Sequence, residues 1–264
     1  MRTYIGQMPA QRLELHCHGS GCTSTSLVRA HLTPQSFARR VQGESGTNLL
    51  VSPSRYTTGL PRGLYDPAIL CADCDNFLNT QYDDPGFALL NVLDEDLSAR
   101  DAGLGANAYF QNPGLNCGFL IRFVLSILWR YSISRLPDTS EVNLGPYQDR
   151  ARDVLWGAMT LTDFPEFKVV CQRYTKGLVE TRKMLSSPVP MKDAEFNAYG
   201  FSLLGFHFLS KVDRRSFPPM FKGFIVNESD VFRGYYVDFH ETPQGRGARD
   251  LLVAARRRLH QKRR

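Results

Sequence analysis

The longest regular hydrophobic pattern in the chain lies between Leu115 and Leu136. Phe119, Phe123 and Ile127 recur every four residues, with Leu120, Val124 and Leu128 beside them. That is helical spacing. Apolar residues occupy most faces of this helix, so it is expected at the centre of the core. Pro137 stops it. Gly145-Pro146 opens a second helix, expected to run to Met159 with Pro146 in its first turn. After Asp193 the pattern changes. Phe196, Tyr199, Phe201, Leu203, Phe206 and Phe208 form a glycine- and aromatic-rich run that reads as strand. Phe221 to Val226 and Phe232 to His240 read as further strands, with Asn227 to Asp230 as the turn between them. From Arg249 to Gln261, Leu251, Leu252, Ala255 and Leu259 share one side and arginines fill the rest, which predicts a basic terminal helix.

The first third is less periodic. Residues 1–15 read as an extended lead-in and Ser26 to Leu32 as a short strand. Residues 42–66 are rich in Gly, Ser, Thr, Pro and Tyr and read as a long irregular connection. Cys71 to Leu78 looks like a turn opening a helix, which Asp83-Asp84-Pro85-Gly86 is expected to break. A second polar stretch, Asp94 to Gly114, reads as a linker. The expected class is therefore α+β. It divides into an N-terminal module over 1–95 and a mixed helical and β domain over 96–264 that ends in the basic helix.

Charge sharpens this division. The formal net charge is +6, yet residues 245–264 alone carry +7, from eight Lys or Arg against Asp250. The basicity is a terminal feature, and nucleic acid is the partner it suggests, with a protein partner or a membrane surface as alternatives. Hydrophobic content of 42% and charged content of 22% are ordinary for a globular protein. The first fifteen residues hold no signal-peptide-like apolar run, and Gly118 to Trp129 is too short for a membrane span and contains Arg122. These features predict a cytoplasmic protein, in which paired cysteines favour metal over disulfide.

Cys17 and Cys22 are separated by four residues, Cys71 and Cys74 by two. Two such pairs let two short loops each aim two thiolates at one ion, as in a tetrahedral zinc site. Glycines in His16-Cys17-His18-Gly19-Ser20-Gly21-Cys22 suit a loop that wraps an ion. His16, His18 or His31 are alternative ligands. Cys117 and Cys171 stand alone in apolar stretches and read as buried thiols. A thiol redox role for Cys71 and Cys74 lacks the surrounding βαβ pattern.

Cys17 and Cys22, then Ala30-His31-Leu32-Thr33-Pro34, then Leu70-Cys71-Ala72-Asp73-Cys74-Asp75-Asn76 together resemble a zinc-containing HNH (ββα-metal) nuclease module of bacterial or phage type. The resemblance covers residues 14–86. It implies that His31 is the general base on an attacking water and that Asp75 or Asn76 orients it or binds a catalytic ion. Asn79 and Asp83 lie four and eight residues beyond Asp75, so one helix face can present all three. Their oxygen ligands suit Mg2+ or Mn2+, beside a structural Zn2+ on the cysteines. The implied activity is metal-dependent hydrolysis of a nucleic-acid phosphodiester, chiefly DNA. The sequence departs from the family at Ala30, where Asp or His is usual, and in lacking the final histidine. The competing expectation is a catalytically inactive, zinc-stabilised protein that binds nucleic acid or a protein. Bland readings stand beside several of these residues. Asp75 also suits a helix N-cap. Trp129 suits the core, and Arg130 suits a carboxylate partner.

Overall fold

The computed structural model describes residues 15–42, 48–50, 58–60, 63–100, 108–175, 185–192, 196–228 and 230–242. Most of the expected lead-in and all of the expected terminal helix lie outside them. In chain order, β1 is Leu27–His31, α1 Gln35–Val41, β2 Asn48–Leu50, β3 Thr58–Leu60 and β4 Tyr65–Cys71. Next come α2 at Ala72–Leu78, a π-helical turn at Asn79–Asp83, α3 at Asp84–Arg100 and β5 at Tyr109–Asn112. The helices α4 (Cys117–Ile133) and α5 (Gln148–Leu155) follow. The remaining strands are β6 (Phe167–Tyr174), β7 (Val189–Lys192), β8 (Asn197–Leu203), β9 (Phe206–Val212), β10 (Ile225–Val226) and β11 (Phe232–Val237). The class is α+β.

α4 is the core helix that its pattern predicts. Asn116 caps it, its side chain accepting from the Phe119 N–H at 2.9 Å. It ends at Ile133, with Ser134 extended ahead of Pro137. Nearly every side chain from Leu120 to Ile133 is buried, and α4 packs against the π-helical turn, α5 and β6. Trp129 belongs to this core.

The main sheet runs in the order β5-β11-β6-β9-β8-β7, with β10 sharing the β11 side of β6. It is antiparallel except where β11 meets β6. Alternation along the strands divides its faces. Val169, Cys171, Phe201, Phe206 and Phe208 join the large core around α4. Val170, Ala198 and Leu209 point the other way, onto Phe196, Phe217 and Phe221.

Two expectations are corrected. The aromatic run from Phe196 to Phe208 is a hairpin rather than one strand. It turns at Leu204 (φ 51°) and Gly205 (φ 84°), the doubly positive φ that suits a tight β-hairpin. Asp83-Asp84-Pro85-Gly86 does not break the helix. The Asp84 N–H donates to Asn79 O, five residues back, and α3 continues beyond it. Pro85 sits in the first turn of α3, where its missing N–H does least harm, and the π turn absorbs the discontinuity. Gly86 is needed because a Cβ there would overlap the Phe123 ring. α3 runs from Asp84 to Arg100, and one hydrophobic cluster of the described residues runs from Cys17 to Tyr236. Among the described residues, no helix is long and apolar enough to cross a membrane.

A polar network lies buried in the hairpin. His207 Nδ1 and Ser202 Oγ are 3.2 Å apart, and Ser202 Oγ is 2.7 Å from Tyr174 Oη. Burial pushes the His207 imidazole down to about 4, against a smaller upward effect of its bond to the Phe201 backbone. The unfolded imidazole takes up its proton near pH 6.5, the folded one only near pH 4. The unfolded state therefore holds more protons between these values, and stability falls as pH drops through that window. The loss at pH 4 is expected to be about 3 kcal/mol, since each tenfold change in proton affinity is worth roughly 1.4 kcal/mol. Urea unfolding of wild type and His207→Gln at pH 7 and pH 4 checks this: the variant should lose less stability on acidification, and an equal loss removes His207 as the cause.

Candidate metal centre

The first cysteine pair sits on a backbone knuckle. The Cys17 N–H donates to Ser24 O at 2.8 Å and the Cys22 N–H to Gly19 O at 3.1 Å. Gly21 supplies a positive φ of 66°. The His18 N–H donates to Ile69 O at 3.0 Å, tying the knuckle to β4. That strand pairs antiparallel with β1, bringing Leu27 opposite Cys71 and His31 opposite Tyr65. Cys71 ends β4 as the N-cap of α2, and Cys74 lies in the first turn of that helix. Asp75 is therefore not the cap.

The four sulfurs converge. They all lie within 4.8 Å of one another, and Cys22 Sγ is 3.7 Å from Cys71 Sγ. A tetrahedron of thiolates about 2.3 Å from zinc has edges of about 3.8 Å, so the set fits a metal such as zinc. Backbone donors serve the sulfurs: the N–H groups of Gly19 and Cys71 point at Cys17 Sγ at 3.4 and 3.3 Å. The Cys74 N–H bond to the Cys71 sulfur, with smaller help from the neighbouring cysteines, pulls the Cys71 thiol down to about 7. Burial pushes Cys17 and Cys74 up. Lone thiolates at Cys17 and Cys74 are thus disfavoured, and a dication would make four thiolates compatible there. Gly19 leaves the room: a Cβ there would overlap Cys74 Sγ. The Trp156 ring comes near the same point and stacks on Phe77 of α2, with ring centroids 5.4 Å apart. The sequence holds no local signal for Trp156, which arrives from α5 only through the fold.

The other predicted residues surround a different feature. Arg130 is fully buried on α4. It donates from Nη1 to Asp83 Oδ2 at 2.8 Å and from Nη2 to Asp83 Oδ1 at 2.7 Å. Nη1 also reaches the His31 carbonyl at 2.9 Å. The carboxylate partner expected for Arg130 is therefore Asp83, with both oxygens engaged. Asp75 is half-buried and accepts from Asn79 Nδ2 at 3.4 Å, so the spacing of four does place these two side by side. Burial pushes the Asp75 carboxyl up, the Arg130 charge opposes this, and the Asp83 charge adds to it. Asn76 is exposed, and its carbonyl accepts from Thr80 Oγ1 at 3.0 Å. The His31 ring meets Tyr65 edge-on, with centroids 6.3 Å apart.

Among the described residues, the four cysteines are the group of His, Cys, Asp or Glu close enough to hold a metal. His16, His18 and His31 are not part of it, and His31, Asp75 and Asp83 do not form a second. Cys117 and Cys171 are buried, as expected. No family model matches the chain, and comparisons with curated proteins and with solved structures return no match.

Proposed function

We propose that this chain is a zinc-stabilised, non-catalytic protein that binds nucleic acid, with Cys17, Cys22, Cys71 and Cys74 as the zinc ligands. The observation that carries the reading is the closed set of four sulfurs. Structural zinc sites have all four positions filled by protein, whereas catalytic ones keep a position open for water. The bidentate use of Asp83 by Arg130 supports the same reading, because it occupies a carboxylate that a second, catalytic ion would need. The +7 charge of residues 245–264 supports a polyanionic partner.

A second reading is an HNH-like nuclease with His31 as base and Asp75, Asn76 and Asn79 around Mg2+ or Mn2+. It is favoured by the order β1, β4, α2 around the cysteines and by the adjacent Asp75 and Asn79 side chains. Zinc-loaded protein incubated with plasmid and with single-stranded DNA, with Mg2+ and with Mn2+, separates the two. The expected result is salt-sensitive binding with intact DNA. Metal-dependent cutting that disappears in His31→Ala would replace the first reading by the second.

A further inference from the structure

The face of the main sheet opposite α4 ends in a cleft of about 680 Å3. It lies between the β6/β9 end of the sheet and the segment from Arg214 to Lys222. Five cations line it, Lys168, Lys211, Arg214, Arg215 and Lys222, against Glu166 and Asp213. Both acids are ion-paired, with Glu166 Oε2 left buried without a hydrogen-bond partner among the described residues. Asp213 Oδ1 accepts from Lys211 Nζ at 3.1 Å, and its Oδ2 takes Arg215 at 2.6 Å. Glu166 Oε1 takes Arg150 at 2.9 Å.

The strand register makes this charge unusual. Lys168 and Lys211 are direct cross-strand partners on β6 and β9. Like charges placed opposite one another destabilise a sheet. Asp213 and two backbone carbonyls draw the buried Lys211 ammonium away. Lys168 and Lys222 have no carboxylate partner among the described residues, and Arg214 is 84% exposed with Glu166 only at 3.8 Å. Three positive charges are therefore left over at a concave site, and Phe217, Pro219 and Ile225 supply an apolar wall beside them. Phosphates neutralised by lysine and arginine, with sugars and bases against apolar side chains, are how a single strand is held without sequence readout.

We infer that this cleft seats the phosphate backbone of a single nucleic-acid strand on Lys168, Arg214 and Lys222. The inference rests on the nucleic-acid reading above and adds a second contact region, remote in sequence from the basic terminus. Phosphate is the shared chemistry, and a free polyphosphate is the other source that the test must separate.

Full-length, zinc-loaded protein is titrated into a short labelled oligothymidylate across a salt series, with inorganic tripolyphosphate titrated separately. Three proteins are compared: wild type, Lys168→Gln with Lys222→Gln, and Arg256, Arg257 and Arg258 all changed to Gln. Each lost phosphate contact on a single strand lowers the slope of log K against log salt by about 0.7, so the cleft variant should be shallower by about 1.4. Lys222→Gln alone, at an exposed position, should lose about 0.7. An unchanged slope in both cleft variants, with loss in the arginine variant, overturns the cleft and leaves the nucleic-acid reading standing. No oligonucleotide binding by wild type overturns both. Cleft-dependent binding of tripolyphosphate without the oligonucleotide makes this a small-anion site and overturns the strand assignment.

Discussion

Replacing Cys71 or Cys74 by Ser is expected to reduce bound zinc from one ion per chain to near none and to unfold the segment around the knuckle. The expected magnitude follows from comparing two scales. Structural zinc supplies about 10–16 kcal/mol of apparent binding free energy in small peptides, while a whole domain is stable by only about 5–15 kcal/mol. The knuckle, β1, β4 and α2 have short spans, so on the zinc reading losing the metal should remove more than the rest of the core can easily offset. Cys17, Cys71, Phe77 and Trp156 belong to the same hydrophobic cluster as α4, so the damage should spread to the aromatic contacts of Phe77 and Trp156. The measurements are metal content, thermal unfolding with and without a strong chelator, and absorption after cobalt replacement, where thiolate-to-metal charge transfer reports sulfur ligation. His16→Ala with His18→Ala should keep the metal. If both serine variants hold one zinc with an unchanged melting temperature, the four-thiolate centre is wrong.

What could be read in advance was what depends on near neighbours. Two cysteine pairs at metal-site spacing can constrain one another through a shared ion, so their spacing carries the candidate site. The strand before Leu32, the helix after Cys71 and the buried helix around Phe123 follow from short-range pattern, and all three are present as β1, α2 and α4. Elements decided by distant partners were harder to see. The junction at Pro85-Gly86 reads as a turn because proline and glycine commonly make one. It is helical because the π turn accommodates Pro85 and because Phe123 needs a residue without a side chain at position 86. β6 was not legible at all. Both its faces are covered, so Phe167-Lys168-Val169-Val170-Cys171-Gln172-Arg173-Tyr174 shows no clean alternation. The hairpin turn was hidden because Leu204, rather than Asn or Asp, occupies its first positive-φ position. The candidate site divides in the same way. The spacing within each cysteine pair was local information, although the pairs that converge lie 49 residues apart. The burial of Asp83 under Arg130 joins residues 47 apart and depends on how α4 crosses the π turn.

That crossing gives the second large expectation. Changing Asp83 to Ala should destabilise the protein by about 3–5 kcal/mol, the usual result of stranding one partner of a buried ion pair. Arg130 has no exposed surface and Asp83 almost none, so neither charge can turn to water when the other is removed. Arg130→Met leaves the Asp83 carboxylate buried without its guanidinium and should cost a similar amount. It also removes the Nη1 donor from the His31 carbonyl at the end of β1. Replacing both, Asp83→Leu with Arg130→Met, should recover much of the loss, because a well-packed apolar pair avoids desolvating two ions. Denaturant unfolding of Asp83→Leu, Arg130→Met and their double variant forms a thermodynamic cycle, with the coupling energy as its result. A coupling near zero would mean that the bidentate pair contributes little. A large coupling with zinc content unchanged would separate two supports of one module: thiolates holding the knuckle and helix start from one end, and a buried arginine joining β1 to the π turn from the other. The same variants bear on catalysis. If Asp83 served a second metal ion, its loss would abolish metal-dependent chemistry even where the apolar double variant restores stability. If its work is confined to Arg130, stability and nucleic-acid binding should return together.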